Sequence, residues 1–136
     1  MAEPGMVKLR VLVAEDEALI ALSLADLLEA EGYEVAVASD GAEALDMARW
    51  LGAALDVLVT DLNMPRMSGE DLIHTLRGER PGLPIVVVTG SPPRGGADEL
   101  LRQGGGYGPL ALVCKPINYA ELLDSLRQAL PGAHRD

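Results

Sequence analysis

Asp61 closes the run Leu55-Asp56-Val57-Leu58-Val59-Thr60-Asp61-Leu62-Asn63-Met64-Pro65. The apolar, β-branched residues before it read as a buried strand, and Pro65 marks a loop immediately after. A carboxylate in such a place strains to stay hydrated. Two readings are open: Asp61 caps the next helix or sits in a turn, or it is held at the C-terminal edge of a parallel sheet, where α/β folds place their ligands. Glu15, Asp16 and Glu17 occupy the same kind of place after the apolar run that ends at Ala14, Thr89 ends the run from Ile85, and Lys115 follows the run 110–114. Each has a plain alternative. Glu15 and Asp16 would cap a helix and favour its dipole, Thr89 would be an ordinary β-branched strand residue, and Lys115 a surface strand end. Together they make a chemical set. Crowded carboxylates repel one another until a hard divalent cation joins them, and oxygen ligands with retained water suit Mg²⁺. A carboxylate beside such an ion can attack a phosphoryl group. That transfer needs positioning and charge neutralisation, which a lysine and a hydroxyl supply.

These residues need a scaffold that brings four strand ends together. Leu9-Arg10-Val11-Leu12-Val13-Ala14 reads as a nearly continuous apolar strand, as central parallel strands do. From Ala18 the period becomes helical, with Ile20, Leu24, Leu27 and Leu28 on one face and Glu31-Gly32 as the stop. The stretch 33–38 alternates like a half-exposed edge strand. Asp40-Gly41 opens a second helix with Ala44, Leu45 and Ala48 inward and Trp50 packing near its end. A third helix is expected from about Glu70 to Arg77, with Gly78 to Pro84 as the turn out of it. The prolines and glycines from Gly90 to Gly96 delay a short fourth helix to about 97–103. The glycine run 104–108 reads as loop, and a last helix spans about 119–130 with Leu122, Leu123, Leu126 and Leu130 in register. Strand and helix alternate five times, which predicts a flavodoxin-like (βα)5 doubly wound parallel sheet of strand order 2-1-3-4-5. In that order Glu15, Asp16 and Asp61 meet at one crevice, flanked by Thr89 and Lys115.

Composition removes several function classes. The 136 residues fit one domain, with a core over about 7–131 and short termini. With no Phe, one Trp, three Tyr and a formal charge of −10, direct nucleic-acid binding is not expected. The lone Cys114 fits a reducing compartment and reads as an inert small hydrophobe on its strand. The N-terminus lacks a signal-peptide pattern and no stretch approaches the roughly 20 apolar residues of a membrane span, so a cytoplasmic protein without membrane association is expected. His74 is placed on an exposed helical face and His134 in the tail, neither with a catalytic context.

The motifs Val11-Leu12-Val13-Ala14-Glu15-Asp16-Glu17, Asp61-Leu62-Asn63-Met64-Pro65-Arg66-Met67-Ser68-Gly69, Val88-Thr89-Gly90 and Cys114-Lys115-Pro116 stand in order along nearly the whole chain. In them the chain resembles the receiver domain of two-component response regulators, specifically the single-domain type without an output domain. The resemblance implies that Asp61 accepts a phosphoryl group from a histidine kinase or histidine phosphotransfer protein. It implies Mg²⁺ held by Asp16, Asp61 and the backbone carbonyl of Asn63, with Glu15 acting directly or through water. It implies that Thr89 bonds a phosphoryl oxygen, that Lys115 pairs with the phosphate, and that the Lys115–Pro116 peptide is cis. Such a protein is a shuttle, a sink or a switch for a protein target, a monomer or weak dimer, and no enzyme beyond self-phosphorylation and self-dephosphorylation.

Two departures from the family pattern stand out. Leu112 occupies the place where receivers usually carry an aromatic, three residues before the lysine, and the segment after Thr89 is unusually rich in Pro and Gly. The alternative enzyme reading is an aspartate-nucleophile phosphohydrolase, which usually needs an acid-base carboxylate two residues after the nucleophile; Asn63 stands there. A flavodoxin-like FMN binder is the third reading, and the carboxylates after the first strand oppose it by repelling phosphate.

Overall fold

A computed structural model of the chain describes residues 8–104 and 108–130. Its five strands are β1 (Arg10–Ala14), β2 (Glu34–Ala38), β3 (Val57–Thr60), β4 (Ile85–Thr89) and β5 (Leu110–Cys114). They pair in parallel in the order β2-β1-β3-β4-β5. The helices are α1 (Ala18–Ala30), α2 (Gly41–Leu51), α3 (Gly69–Glu79), α4 (Gly96–Gly104) and α5 (Tyr119–Ala129), with a 3-10 turn at Gly52–Ala54.

Alternation along each strand builds the two layers. Leu12, Ala14, Leu58, Ile85 and Val87 join Ala44, Leu45, Leu72, Ile73, Leu76 and Leu100 in one buried cluster, which gathers α2, α3 and α4. Val11, Val13, Val57, Val59, Val86, Val88 and Val113 face the other way and bury Leu24 and Leu28 of α1 with Leu122 and Leu126 of α5. Successive side chains of an extended strand point to opposite faces, so apolar central strands need helices on both sides. The fold expected from the alternation is the fold observed.

Local chemistry sets the helix starts. Asp40 caps α2 by accepting from the Glu43 N–H, and Ser68 and Asn118 do the same for α3 and α5. The Ser68 cap starts α3 at Gly69, and α3 runs to Glu79, two residues beyond the expected Arg77. Gly78 does not end it, because nothing lies near its missing side chain and the helical hydrogen bonds carry on through it. Gly96 enters α4 with a φ of 61°, so the helix begins just after the Pro/Gly stretch. Of the glycine run, residues 105–107 lie outside the described residues, as does His134.

Two packing expectations are corrected. Trp50 does not pack at the end of α2: the residue is 85% exposed, because the last turn of α2 buries Ala48 and turns position 50 outward. Cys114, expected as an inert small hydrophobe on its strand, does lie on that strand but is exposed, at the end of the edge strand β5. Arg77 is the reverse case, a charged residue buried to 1% exposure. Its Nε donates to the Leu83 carbonyl at 2.8 Å and its Nη2 to the Pro109 carbonyl at 2.6 Å, which ties α3 to the segments entering β4 and β5.

Candidate functional site

The sheet ladder continues one step past the strands and fastens the polar residues. The Glu15 N–H donates to the Ala38 carbonyl, the Asp61 N–H to the Ala14 carbonyl (both 3.0 Å), and the Lys115 N–H to the Thr89 carbonyl at 2.8 Å. Backbone pairing therefore sets their spacing, and the side chains inherit it. Glu15, Asp16 and Asp61 come together with carboxylate oxygens all within 4.8 Å of one another; Glu15 and Asp61 are buried and Asp16 is exposed.

The Lys115 ammonium lies in the middle of this acidity. Its Nζ is 2.9 Å from Asp61 Oδ2, 3.0 Å from Glu15 Oε1 and 3.6 Å from Glu17 Oε1. Burial acts to lower the Lys115 pKa, but the hydrogen bonds and charges of Asp61 and Glu15 outweigh it and move it upward. Lys115 is therefore a fixed cation here. Burial raises the Glu15 pKa, opposed by the Glu17 N–H and by Lys115. Both Glu15 oxygens are engaged, Oε1 by Lys115 and Oε2 by the Glu17 N–H at 3.0 Å. Glu17 was legible only as the third acid of a run; its place beside Lys115 comes from the turn after β1.

Asp61 is 6% exposed. Its Oδ1 accepts from the Leu62 N–H at 2.6 Å and, at 3.4 Å, from the Asn63 N–H, while Oδ2 faces Lys115. Its rotamer is thus held from two sides. Thr89 is fully buried, and its Oγ1 accepts from the Ser91 N–H at 3.1 Å. Asn63 is exposed on the loop after β3. The Lys115–Pro116 peptide is cis.

The loop after β3 is held by contacts that sequence patterning does not reveal. An alanine Cβ at Gly69 would lie 2.0 Å from the Asp61 carbonyl oxygen, and one at Gly41 2.0 Å from the Met67 carbonyl oxygen. Arg66, with a left-handed φ of 67°, forms an ion pair with buried Asp40. Asp40 shows only as a helix cap in the sequence, so its second role was missed.

The donor set suits a hard cation: three carboxylates offering oxygen alone, gathered at the ends of neighbouring strands β1 and β3. Among the described residues no helix is long and apolar enough to cross a membrane.

Comparison with known proteins agrees with this geometry. The family model for the response regulator receiver domain matches residues 11–127. The chain is 38% identical over 115 residues to a response regulator receiver protein of Anaeromyxobacter sp. (strain Fw109-5), covering 85% of this chain and 46% of that protein. It is 37% identical over 122 residues to the transcriptional regulatory protein PdtaR of Mycobacterium tuberculosis, covering 89% and 56%. The chain thus spans about half the length of these relatives. Among solved structures, a receiver domain protein of Clostridium thermocellum superposes with a TM-score of 0.81 at 27% identity, over 90% of this chain and 94% of that one. The chemotaxis protein CheY4 of Vibrio cholerae gives 0.80 at 29% identity, over 91% and 100%. Neither the phosphohydrolase nor the flavin-binding reading finds support in these likenesses. With its five-stranded sheet, its acidic crevice and these relatives, the chain belongs to the receiver domains of two-component response regulators.

Proposed function

We propose that Asp61 is the phosphoryl acceptor of this receiver, and that the donor is a phosphohistidine on a histidine kinase or histidine phosphotransfer protein. The observation that carries this is the placement of Asp61: a buried carboxylate whose Oδ1 is held by the Leu62 N–H and whose Oδ2 lies 2.9 Å from a fixed ammonium. A carboxylate oxygen of Asp61 forms a bond to phosphorus as the phosphorus–nitrogen bond to the donor imidazole breaks. The electron pair of that bond returns to the imidazole, and Asp61 becomes an acyl phosphate. Lys115 then pairs with the new phosphate, and the Thr89 hydroxyl donates to one of its oxygens while still accepting from Ser91.

Asp16 and Asp61, with the backbone carbonyl of Asn63, would hold Mg²⁺, which neutralises phosphoryl charge when bound. Glu15 would support the ion through water, since Lys115 and the Glu17 N–H occupy its oxygens. In this reading the span 1–136 works as one receiver unit in the cytoplasm. Its chemistry is its own phosphorylation and dephosphorylation, with no external substrate turned over.

Acetyl phosphate with Mg²⁺ should label Asp61 and no other residue in mass-spectrometric mapping. A chelator or Asp61→Asn should abolish the label. Undiminished labelling of Asp61→Asn would refute the assignment.

A further inference from the structure

Among the described residues Arg66 is the one non-glycine with a left-handed backbone, at a φ of 67°. The Met67 N–H donates back to the Pro65 carbonyl at 2.7 Å, which closes a three-residue turn centred on Arg66. Such turns with a positive φ at the centre are rare and strained. Glycine would adopt the conformation freely, so an arginine there calls for a compensating contact. Its guanidinium supplies one. The Arg66 side chain is 71% exposed, yet it reaches the Asp40 carboxylate, which is 2% exposed and already fixed as the cap of α2. The next residues touch as closely, since a Cβ at Gly41 would lie 2.0 Å from the Met67 carbonyl oxygen. At the other end of the loop the Gly69 N–H donates to the Leu62 carbonyl at 2.8 Å. The loop 62–69 is therefore clamped twice, once to itself and once to the start of α2, and Asn63 lies in the stretch between the clamps.

We propose that Arg66 is a positioning residue for the divalent cation: its ion pair with Asp40 holds the strained turn, and the turn fixes where the Asn63 carbonyl points. This rests on the reading that Asp16, Asp61 and that carbonyl hold Mg²⁺. The Asp61 carboxylate is placed by its own partners, the Leu62 N–H and Lys115. The Asn63 carbonyl has only the course of the loop to place it. Mg²⁺ demands near-ideal octahedral geometry, so a carbonyl free to swing costs affinity. Charge by itself makes Arg66 a poor choice here, because it brings a cation towards a site that must accept one. Its geometric contribution therefore has to outweigh that repulsion. The two effects differ in sign. Through space, removing Arg66 would tighten metal binding and neutralising Asp40 would loosen it; through the loop, both changes loosen it.

Mn²⁺ titration of the full chain, followed by the EPR signal of the free ion and by Mg²⁺ competition, tests this without any phosphorylation; both ions suit carboxylate and carbonyl ligands. Arg66→Ala and Asp40→Asn, which keeps a helix cap, should each weaken binding by about tenfold, the smaller loss typical of residues that orient a metal ligand. The double substitution should lose no more than either single one, since the same contact is removed in all three. Arg66→Gly relieves the strain without restoring the pair. It should melt above Arg66→Ala and yet bind the ion no better, whereas a merely structural role would recover both. Arg77→Met, destabilised where its side chain ties α3 to Leu83 and Pro109, should bind like the parent. In acetyl phosphate labelling, Arg66→Ala should need more Mg²⁺ for half its maximal rate and keep that maximal rate. Parent-like affinity in Arg66→Ala, or opposite shifts in Arg66→Ala and Asp40→Asn, would overturn the proposal. Asp16→Asn tells the two readings apart. If it weakens binding while the Arg66 variants do not, the metal assignment stands and the positioning role falls; if it too binds like the parent, the ion lies elsewhere and both fall.

Discussion

Asp40 has 2% of its surface exposed and uses both carboxylate oxygens: Oδ1 accepts from the Glu43 N–H at 2.8 Å, and Oδ2 meets Arg66. The Arg66 guanidinium first, and the Glu43 N–H second, hold its carboxyl below the usual aspartate range. A carboxyl depressed in the folded state adds stability that is present above its unfolded pKa and is lost as pH falls through the folded one. Arg66→Ala should therefore melt below the parent at pH 7. The two curves should converge in acid well under the ordinary aspartate pKa of about 3.9, where Asp40 is protonated in both. Arg66→Gly should melt above Arg66→Ala, since glycine adopts the observed φ of 67° without strain. Thermal melts of the three proteins across pH decide both points. Arg77 acts through shape more than charge. Arg77→Lys cannot reach the Leu83 and Pro109 carbonyls with two fixed donors, so it should lose nearly as much stability as Arg77→Met, about 2–4 kcal/mol by urea unfolding. A loss under about 1 kcal/mol would show that the clamp is dispensable.

The helix α3 contains two glycines with opposite reasons to be there. Gly69 at its start lies under the Asp61 carbonyl, where a Cβ would sit 2.0 Å from the oxygen; around Gly78 nothing lies within 4 Å. Gly69→Ala should cost about 3 kcal/mol or more, because backbone rather than a flexible side chain must move. It should also slow phosphorylation of Asp61, since the displaced atoms are those of Asp61 and Leu62. Gly78→Ala should add about 0.5–1 kcal/mol and leave phosphorylation alone, as alanine is the better helix former. Equal behaviour of the two variants would mean that the loop after β3 has room to spare. The strand elements were legible as apolar runs, and so were the starts of α2 and α5, whose caps are chemical. The end of α3 was not, because a glycine inside a helix and a glycine that ends one look alike until the packing around them is known.

Across the whole molecule, the proposed acceptor site meets the loop before α4 through Thr89 at the end of β4. Thr89 Oγ1 accepts from the Ser91 N–H, so a Thr89 drawn towards phosphate pulls the loop from Gly90 to Gly95 with it. Leu112 lies 4.0 Å from where a side chain at Gly96 would begin and has no polar tip to follow the hydroxyl. A ligand shifts a switch only through contacts that differ between its two states. Hydrogen exchange with and without beryllofluoride should therefore change over residues 90–104, through the loop and α4, and Leu112→Tyr should leave phosphorylation of Asp61 largely intact. Exchange altered instead in β5 and α5 would place the output elsewhere.

By itself the sequence determined the order of strands and helices, the two-sided core and the identity of the acidic crevice. Each follows from local pattern: apolar runs for central strands, a period change for each helix, and polar residues placed where strands stop. Glu15, Asp16, Asp61, Thr89 and Lys115 were readable for that reason, since parallel pairing puts all strand ends on one edge. Only the tertiary structure decided what depends on distance across the chain. It put the Lys115 ammonium between Asp61 and Glu15, so that part of the acidity is offset from within, and it joined Arg66 to Asp40. It buried Arg77 and exposed Trp50 and Cys114, against their usual tendencies. Burial is a property of what lies opposite a side chain, and a neighbour 26 or 54 residues away leaves no trace in a local pattern.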